Sequence, residues 1–347
     1  MAATCNPTIS KVITNLRFPL MLGVVLIHNV LIDPAYASRE GMCFLAFIIE
    51  LLSHQIVAPC VPLFFFISGY LFFLKFGDKF TIVDYRTQLK KRVHTLLIPY
   101  IFWNLVVLGY FAIMHKFVPS LINPEFNNVY HFSMVEFVRS FYDFPGGQPI
   151  CYQFWFLRDL MLAVIISPVL FVAMRYSRWY LMALLAFLYI YSPTMYPHQT
   201  MLTFFSLGAG FAIHRYDFVK VATKCVMPSA ITFVALTIIA SLNPKLGEGL
   251  VGLIVIMGAI LFVWIASRTK LINTKFAESG FFIYAFHGFP ILMLGKVLVS
   301  VLNPNSTIAW LGCYAGCFVV IVFLSLALYF VLKKLFPKFT VIITGGR

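Results

Sequence analysis

Charge is what this 347-residue chain has least of: aspartate, glutamate, lysine and arginine together make up 11% of it. The acidic residues are the scarcer kind, 12 against 26 basic, for a formal net charge of +14. A chain this poor in polar groups cannot clothe a water-soluble globule, which excludes the soluble enzyme classes. Cysteine is sparse too, with seven residues, no Cys-x-x-Cys pair and no histidine-cysteine cluster, so neither a metal site nor a disulfide framework is expected. Cys43, Cys60 and Cys151 are the candidates for a bridge near the outer face. The segment Met1 to Ser10 lacks a basic stretch followed by a short apolar core and a cleavage site, so no signal peptide is expected to be removed. Fixed-period repeats, low-complexity tracts and an appended soluble domain are also missing. Residues 1–347 therefore read as one transmembrane domain.

What is present is oil: 61% hydrophobic residues and a mean hydropathy of +0.91. Apolar runs long enough to cross about 30 Å of hydrocarbon as helices recur along the chain, whereas a barrel would show alternating segments of about ten residues. The fold class expected is all-α, a polytopic membrane bundle of about ten transmembrane helices. Their approximate bounds are 12–32, 55–75, 93–115, 152–173, 179–192, 199–215, 226–242, 249–266, 278–299 and 307–335. The basic residues fall in short clusters between these runs, which argues for membrane orientation and against nucleic acid. With the N-terminus inside, only Arg39, Lys116, Arg139, Lys245 and Lys296 fall outside. That bias places both termini in the cytoplasm of a cell carrying the protein in its cytoplasmic membrane. Within residues 33–54, Phe44 to Leu52 form either an interfacial helix or an extension of the second span, and a short helix is expected around Ser133 to Tyr142.

The first apolar run carries Arg17 and His28, which share one helical face about 16 Å apart. Ionisable groups at bilayer depth cost about 2.5 to 3.5 kcal/mol even on the mildest scale, so each calls for a partner, a polar cavity or a function. A guanidinium near one surface suits a phosphate, and an imidazole three turns deeper suits a proton or an acyl group. The structural alternatives are an anchoring arginine and a packed histidine.

Further blocks follow: Val61-Pro62-Leu63-Phe64-Phe65-Phe66-Ile67-Ser68-Gly69-Tyr70-Leu71, then Lys91-Arg92-Val93-His94-Thr95-Leu96-Leu97-Ile98-Pro99-Tyr100, then Phe154-Trp155-Phe156-Leu157-Arg158-Asp159-Leu160, then Phe281-Phe282-Ile283-Tyr284-Ala285-Phe286-His287. In this order, with Arg17 and His28, they resemble the motif set of the acyltransferase-3 family of membrane O-acyltransferases over essentially the whole chain. The resemblance implies transfer of an acyl group, usually acetyl, from cytoplasmic acyl-CoA to a hydroxyl of a surface glycan or its lipid-linked precursor at the outer side. Acyl-CoA is then a co-substrate, with no permanently bound cofactor and no metal. The family's essential Arg-x10-His pair maps onto Arg17 and His28. Its Arg-x-x-Arg pair is only half present, because Thr95 stands where the second arginine would be, leaving Arg92 with Lys91 or Lys90 for coenzyme phosphates.

Acyl transfer to a hydroxyl needs a base or a transient acyl carrier, and His28 suits either. His287, expected near a kink at Pro290, is a candidate for the same cavity as an oxyanion stabiliser. Trp155, Arg158, Asp159 and Tyr284 are the candidates for binding the acceptor, with structural pairing the alternative for Arg158 and Asp159. Two other functions fit a bundle with buried charge: a transporter or flippase for glycan intermediates, and transfer of a different acyl group such as succinyl.

Overall fold

The computed structural model describes residues 6–77, 79–117, 129–143, 147–194, 198–271 and 274–346. Among these it is all-helical. The helices are α1 (Pro7–Ile27), α2 (Pro34–Arg39), α3 (Cys43–Ile49), α4 (Cys60–Phe73), α5 (Ile82–Arg92), α6 (Ile98–Phe117), α7 (Met134–Ser140), α8 (Trp155–Ile165), α9 (Ser167–Tyr191), α10 (Gln199–Ile213), α11 (Phe218–Leu242), α12 (Pro244–Arg268), α13 (Thr274–Phe286), α14 (Gly288–Leu302), α15 (Thr307–Leu335) and α16 (Pro337–Thr344).

Among the described residues, seven continuous helical stretches are long and apolar enough to cross a membrane, and the pair α13 and α14, bent by 70°, makes an eighth if it is one span. The difference from the expected number lies between residues 152 and 215. There α8 stops at Ile166 (ψ 2°), the backbone of α9 leaves helical geometry at Arg178 (φ 48°, ψ −134°), and α10 has 15 residues, about 22 Å of rise. Residues 43–73 run as one helical stretch through a π-helical turn at Glu50–Gln55, so the segment before α4 extends that span. The expected short outer helix is α7, started by a capping box in which Ser133 and Glu136 bond reciprocally. Those two hydrogen-bond types also hold the Glu136 carboxyl below its ordinary pKa. Cys43, Cys60 and Cys151 are free thiols. The rest of the long connection between α6 and α8, residues 118–128 and 144–146, lies outside the described residues.

α1 sits inside the bundle, packed on α4, α12, α13 and α15. Its start is fixed by Asn6, whose side chain accepts from the Thr8 amide, with Pro7 in the first turn. Asn15 then ties it to the end of α12 by donating to the Ala266 and Thr269 carbonyls at 3.0 and 3.3 Å, which gives two orphaned helix-end acceptors a partner. α4 and α10 lie still closer together. A Cβ on Gly69 would stand 2.1 Å from the Phe205 carbonyl oxygen, and one on Gly208 2.0 Å from that of Phe66. Only glycine at both positions allows this backbone contact, the small-residue packing typical of membrane helices. Large apolar side chains such as Ile308, Val319 and Phe323 on α15 remain exposed, a face suited to lipid.

Candidate functional site

A cavity of about 580 Å³ runs through the bundle beside α1. Arg17 and His28 both line it, so the two ionisable residues of the first helix share one compartment. Around the Arg17 end stand Thr14, Arg92, Glu278 and Gly346; around the His28 end stand Gln153, Trp155 and Tyr284.

At the Arg17 end the charge is permanent. Among the described residues neither Arg17 nor Arg92 forms an ion pair. Arg92 rests over the Phe72 ring at 5.8 Å, and its buried Nε has no hydrogen-bond partner. Thr95 Oγ1, one turn on, is likewise buried and unsatisfied. Gly346, just after α16, lines this end. Trp103 donates to the Ile343 carbonyl at 3.0 Å, anchoring α16, and Gly345 (φ 68°) follows so closely on Thr95 that a Cβ would stand 2.3 Å from its carbonyl oxygen. Lys91 departs from expectation: it is exposed and does not line the cavity, because on α5 it faces away from Arg92. Its charge is still felt nearby. Lys75, in the turn after α4, has its pKa lowered by partial burial first and then by Lys91 and Arg92. Glu278 is at the same end, and it accepts from Lys333 of α15 at 2.6 Å.

The His28 end is neutral and closely built. The break between α13 and α14 falls at His287, with Pro290 in the first turn of α14, where its missing N–H leaves the Phe286 carbonyl without the usual helical bond. Into this bend docks the segment Tyr152-Gln153. The Tyr152 hydroxyl donates to the Gly288 carbonyl at 3.2 Å, the Gln153 carboxamide to Ala285 at 3.1 Å, and the Tyr284 hydroxyl back to the Gln153 carbonyl at 2.7 Å. Gly288 leaves room for this docking, since a Cβ there would stand 2.4 Å from Gln153 Oε1 and displace the carboxamide. His28, at the end of α1, has its ring 5.1 Å from that of Tyr152 and 5.2 Å from that of His287. His287 is fully buried, and its Nδ1 lies 2.9 Å from the Ile283 carbonyl oxygen. A carbonyl only accepts, so the neutral ring carries its proton on Nδ1 and presents a lone pair on Nε2. It then has no N–H for an oxyanion, contrary to the role expected for it. Nε2 of His287 and Oε1 of Gln153 are both buried without partners.

Trp155 also lines a second pocket, of about 670 Å³, with Tyr142, Arg158, Asp159 and His198. Here the structural alternative is realised in part. Arg158 bonds Asp159 at 3.1 Å and the carbonyls of Tyr142 and Gly147 at 2.9 and 2.8 Å, while Asp159 reaches His198 Nδ1 at 2.9 Å. Arg158 and Asp159 thus hold the pocket's walls and also face into it. Tyr284, expected beside them, belongs to the first cavity. Sequence reading passed over Gln153 and His198. Gln153 left one signal, a carboxamide inside an aromatic run; His198 left none, because its role depends on a contact 39 positions away.

An all-helical, multi-pass membrane protein with an arginine and a histidine in one internal cavity is the class these observations define. The family model described as an acyltransferase domain matches residues 11–330, and the chain belongs to the acyltransferase-3 family. It is similar to the succinoglycan biosynthesis protein ExoH of Rhizobium meliloti (strain 1021), 27% identical over an alignment covering 99% of this chain and 94% of that protein. No solved structure matches.

Proposed function

We propose that this acyltransferase takes an acyl group, most simply acetyl, from cytoplasmic acyl-CoA and transfers it to a hydroxyl of a surface glycan or its lipid-linked precursor. In this reading the chain is a single domain of about ten crossings in the cytoplasmic membrane, with both termini and the Arg17 end inside. The observation that carries it is the pattern of unsatisfied atoms in one cavity. A donor, Arg92 Nε, waits at one end for acceptor-rich phosphates, while an acceptor, Gln153 Oε1, waits at the other for a hydroxyl. Arg17 and Arg92 hold the coenzyme's phosphates, and the thioester reaches His28.

His28 takes the proton of the attacking hydroxyl as its oxygen bonds to the thioester carbonyl carbon. The carbon–sulfur bond then breaks, and the leaving thiolate receives that proton. The acceptor lies across Trp155 in the second pocket, where an aromatic face with Asp159, Arg158 and His198 suits a neutral sugar ring. The relative's name, which concerns succinoglycan biosynthesis, supports a polysaccharide acceptor. The test is the ester content of surface glycan in cells carrying His28→Ala or Arg17→Ala as the sole copy. Loss of ester in both supports the reading, and full acylation in both rejects it.

A further inference from the structure

The buried imidazole of His287 has one nitrogen committed to the backbone and one uncommitted. Its Nδ1–H is held by the Ile283 carbonyl, one helical turn back, at a place where the helix itself is broken. Turned over, the ring would set a carbon against that carbonyl, which also accepts the His287 backbone amide at 3.0 Å, and its own buried N–H would lose this partner, so the contact fixes the tautomer. Across from it stands His28, with ring centroids 5.2 Å apart and planes 30° from parallel. An in-line N–H···N bond of about 2.9 Å between two imidazoles spaces their centroids by roughly 5 Å. The two rings therefore lie at the separation such a bond needs, and the Tyr152 edge limits the movement of His28 on its other side.

We propose that His287 is a positioning residue that fixes the tautomer of His28. This inference rests on the reading of His28 as the base. Nε2 of His287 accepts the one N–H of neutral His28, so the bare nitrogen of His28 is turned toward the cavity and the attacking hydroxyl. When His28 takes the hydroxyl's proton, the same bond holds the imidazolium in place until the thiolate collects it. No proton moves onto His287, whose part is that of an acceptor behind the base, as a carboxylate is behind histidine in hydrolytic triads. The break at His287 and Gly288 then has a purpose: it presents a backbone carbonyl, a ring and Gln153 in one turn at the end of α1.

The test uses membrane vesicles bearing the full-length protein and the endogenous glycan, with labelled acetyl-CoA, and succinyl-CoA in a parallel arm. His287→Asn keeps the bond to Ile283 but loses the acceptor at the Nε2 place, whereas His287→Gln puts a carbonyl oxygen there. The expected result is a maximal rate reduced about 30-fold or more in His287→Asn, with the apparent KM for acyl-CoA within about two-fold of wild type, and at least about a third of the rate retained in His287→Gln. Equal rates in the two variants, or a wild-type rate in His287→Asn, overturn the proposal. Should neither variant accumulate, the wild-type protein with 15N-histidine answers by itself. A protonated Nδ1 and bare Nε2 on the buried histidine support the assignment, and the reverse overturns it. Wild-type vesicles that transfer neither acyl group would instead remove the acyltransferase reading, a failure distinct from a wrong tautomer.

Discussion

At its Arg17 end the cavity is lined by permanent cations and bordered by Gly346 after α16, whereas at its His28 end it is lined by aromatic rings and a carboxamide held against a broken helix. The first arrangement suits a ligand recognised by charge and tolerates imprecision, because Coulomb attraction falls off slowly in a partly desolvated site. The second is fixed by hydrogen bonds from Tyr152, Gln153, Tyr284 and His287 to backbone atoms, as proton transfer requires. On the proposed reading one end grips and the other aligns. Substitutions at the two ends should therefore fail in different kinetic terms.

The largest effect is expected at His28. His28→Ala should lower the maximal rate of acyl transfer by about 100-fold or more while leaving the apparent KM for acyl-CoA nearly unchanged, as measured in vesicles with labelled donor. A rise in KM with an unaltered rate would mean that the histidine end binds and does not align. Next comes Arg92→Ala, whose loss of a charge-assisted contact, about 1.5 to 3 kcal/mol, should raise the donor KM by roughly 10- to 100-fold at an unchanged maximal rate. If it is the rate that collapses, the division between the ends is not real.

Much of this division was legible in the sequence. Arg17 and His28 declare themselves as charge in an oily run, and a spacing of three helical turns puts them on one face. The residues behind them were less legible. His287 could be named from its motif, but its tautomer depends on a second bond to the Ile283 carbonyl that already accepts its amide, and Gln153 meets Ala285 only because the segment before α8 docks into that bend. The helix breaks were obscured for a similar reason. Between residues 152 and 215 hydropathy stays high while the backbone breaks at Ile166 and at Arg178, and apolar composition carries no record of such turns.

The tail at the cationic end allows a finer test. Gly345→Ala would put a Cβ 2.3 Å from the Thr95 carbonyl oxygen on a backbone with φ 68°, a conformation that costs an alanine about 1 kcal/mol before the clash is counted. The tail must shift, and Gly346, which lines the cavity beside Arg92, shifts with it. A donor KM changed by roughly 3- to 10-fold is expected, with the maximal rate preserved. An altered rate with an unaltered KM would place the tail's influence at the wrong end.

The smallest effect separates two neighbours in the sequence. Lys91 adjoins Arg92 and carries the same charge, and a reading by motif alone gives both to the coenzyme. Lys91 is exposed and outside the cavity, so water and salt screen its field at the site, whereas Arg92 presents a buried, unsatisfied Nε. Lys91→Ala should change the donor KM by less than about two-fold at 0.15 M salt, and by somewhat more when the salt is lowered tenfold and the Debye length grows from about 8 to roughly 25 Å. An effect as large as that of Arg92→Ala at both ionic strengths would mean that the coenzyme lies along the exposed side of α5, and the cationic end of the cavity would have to be redrawn around that helix.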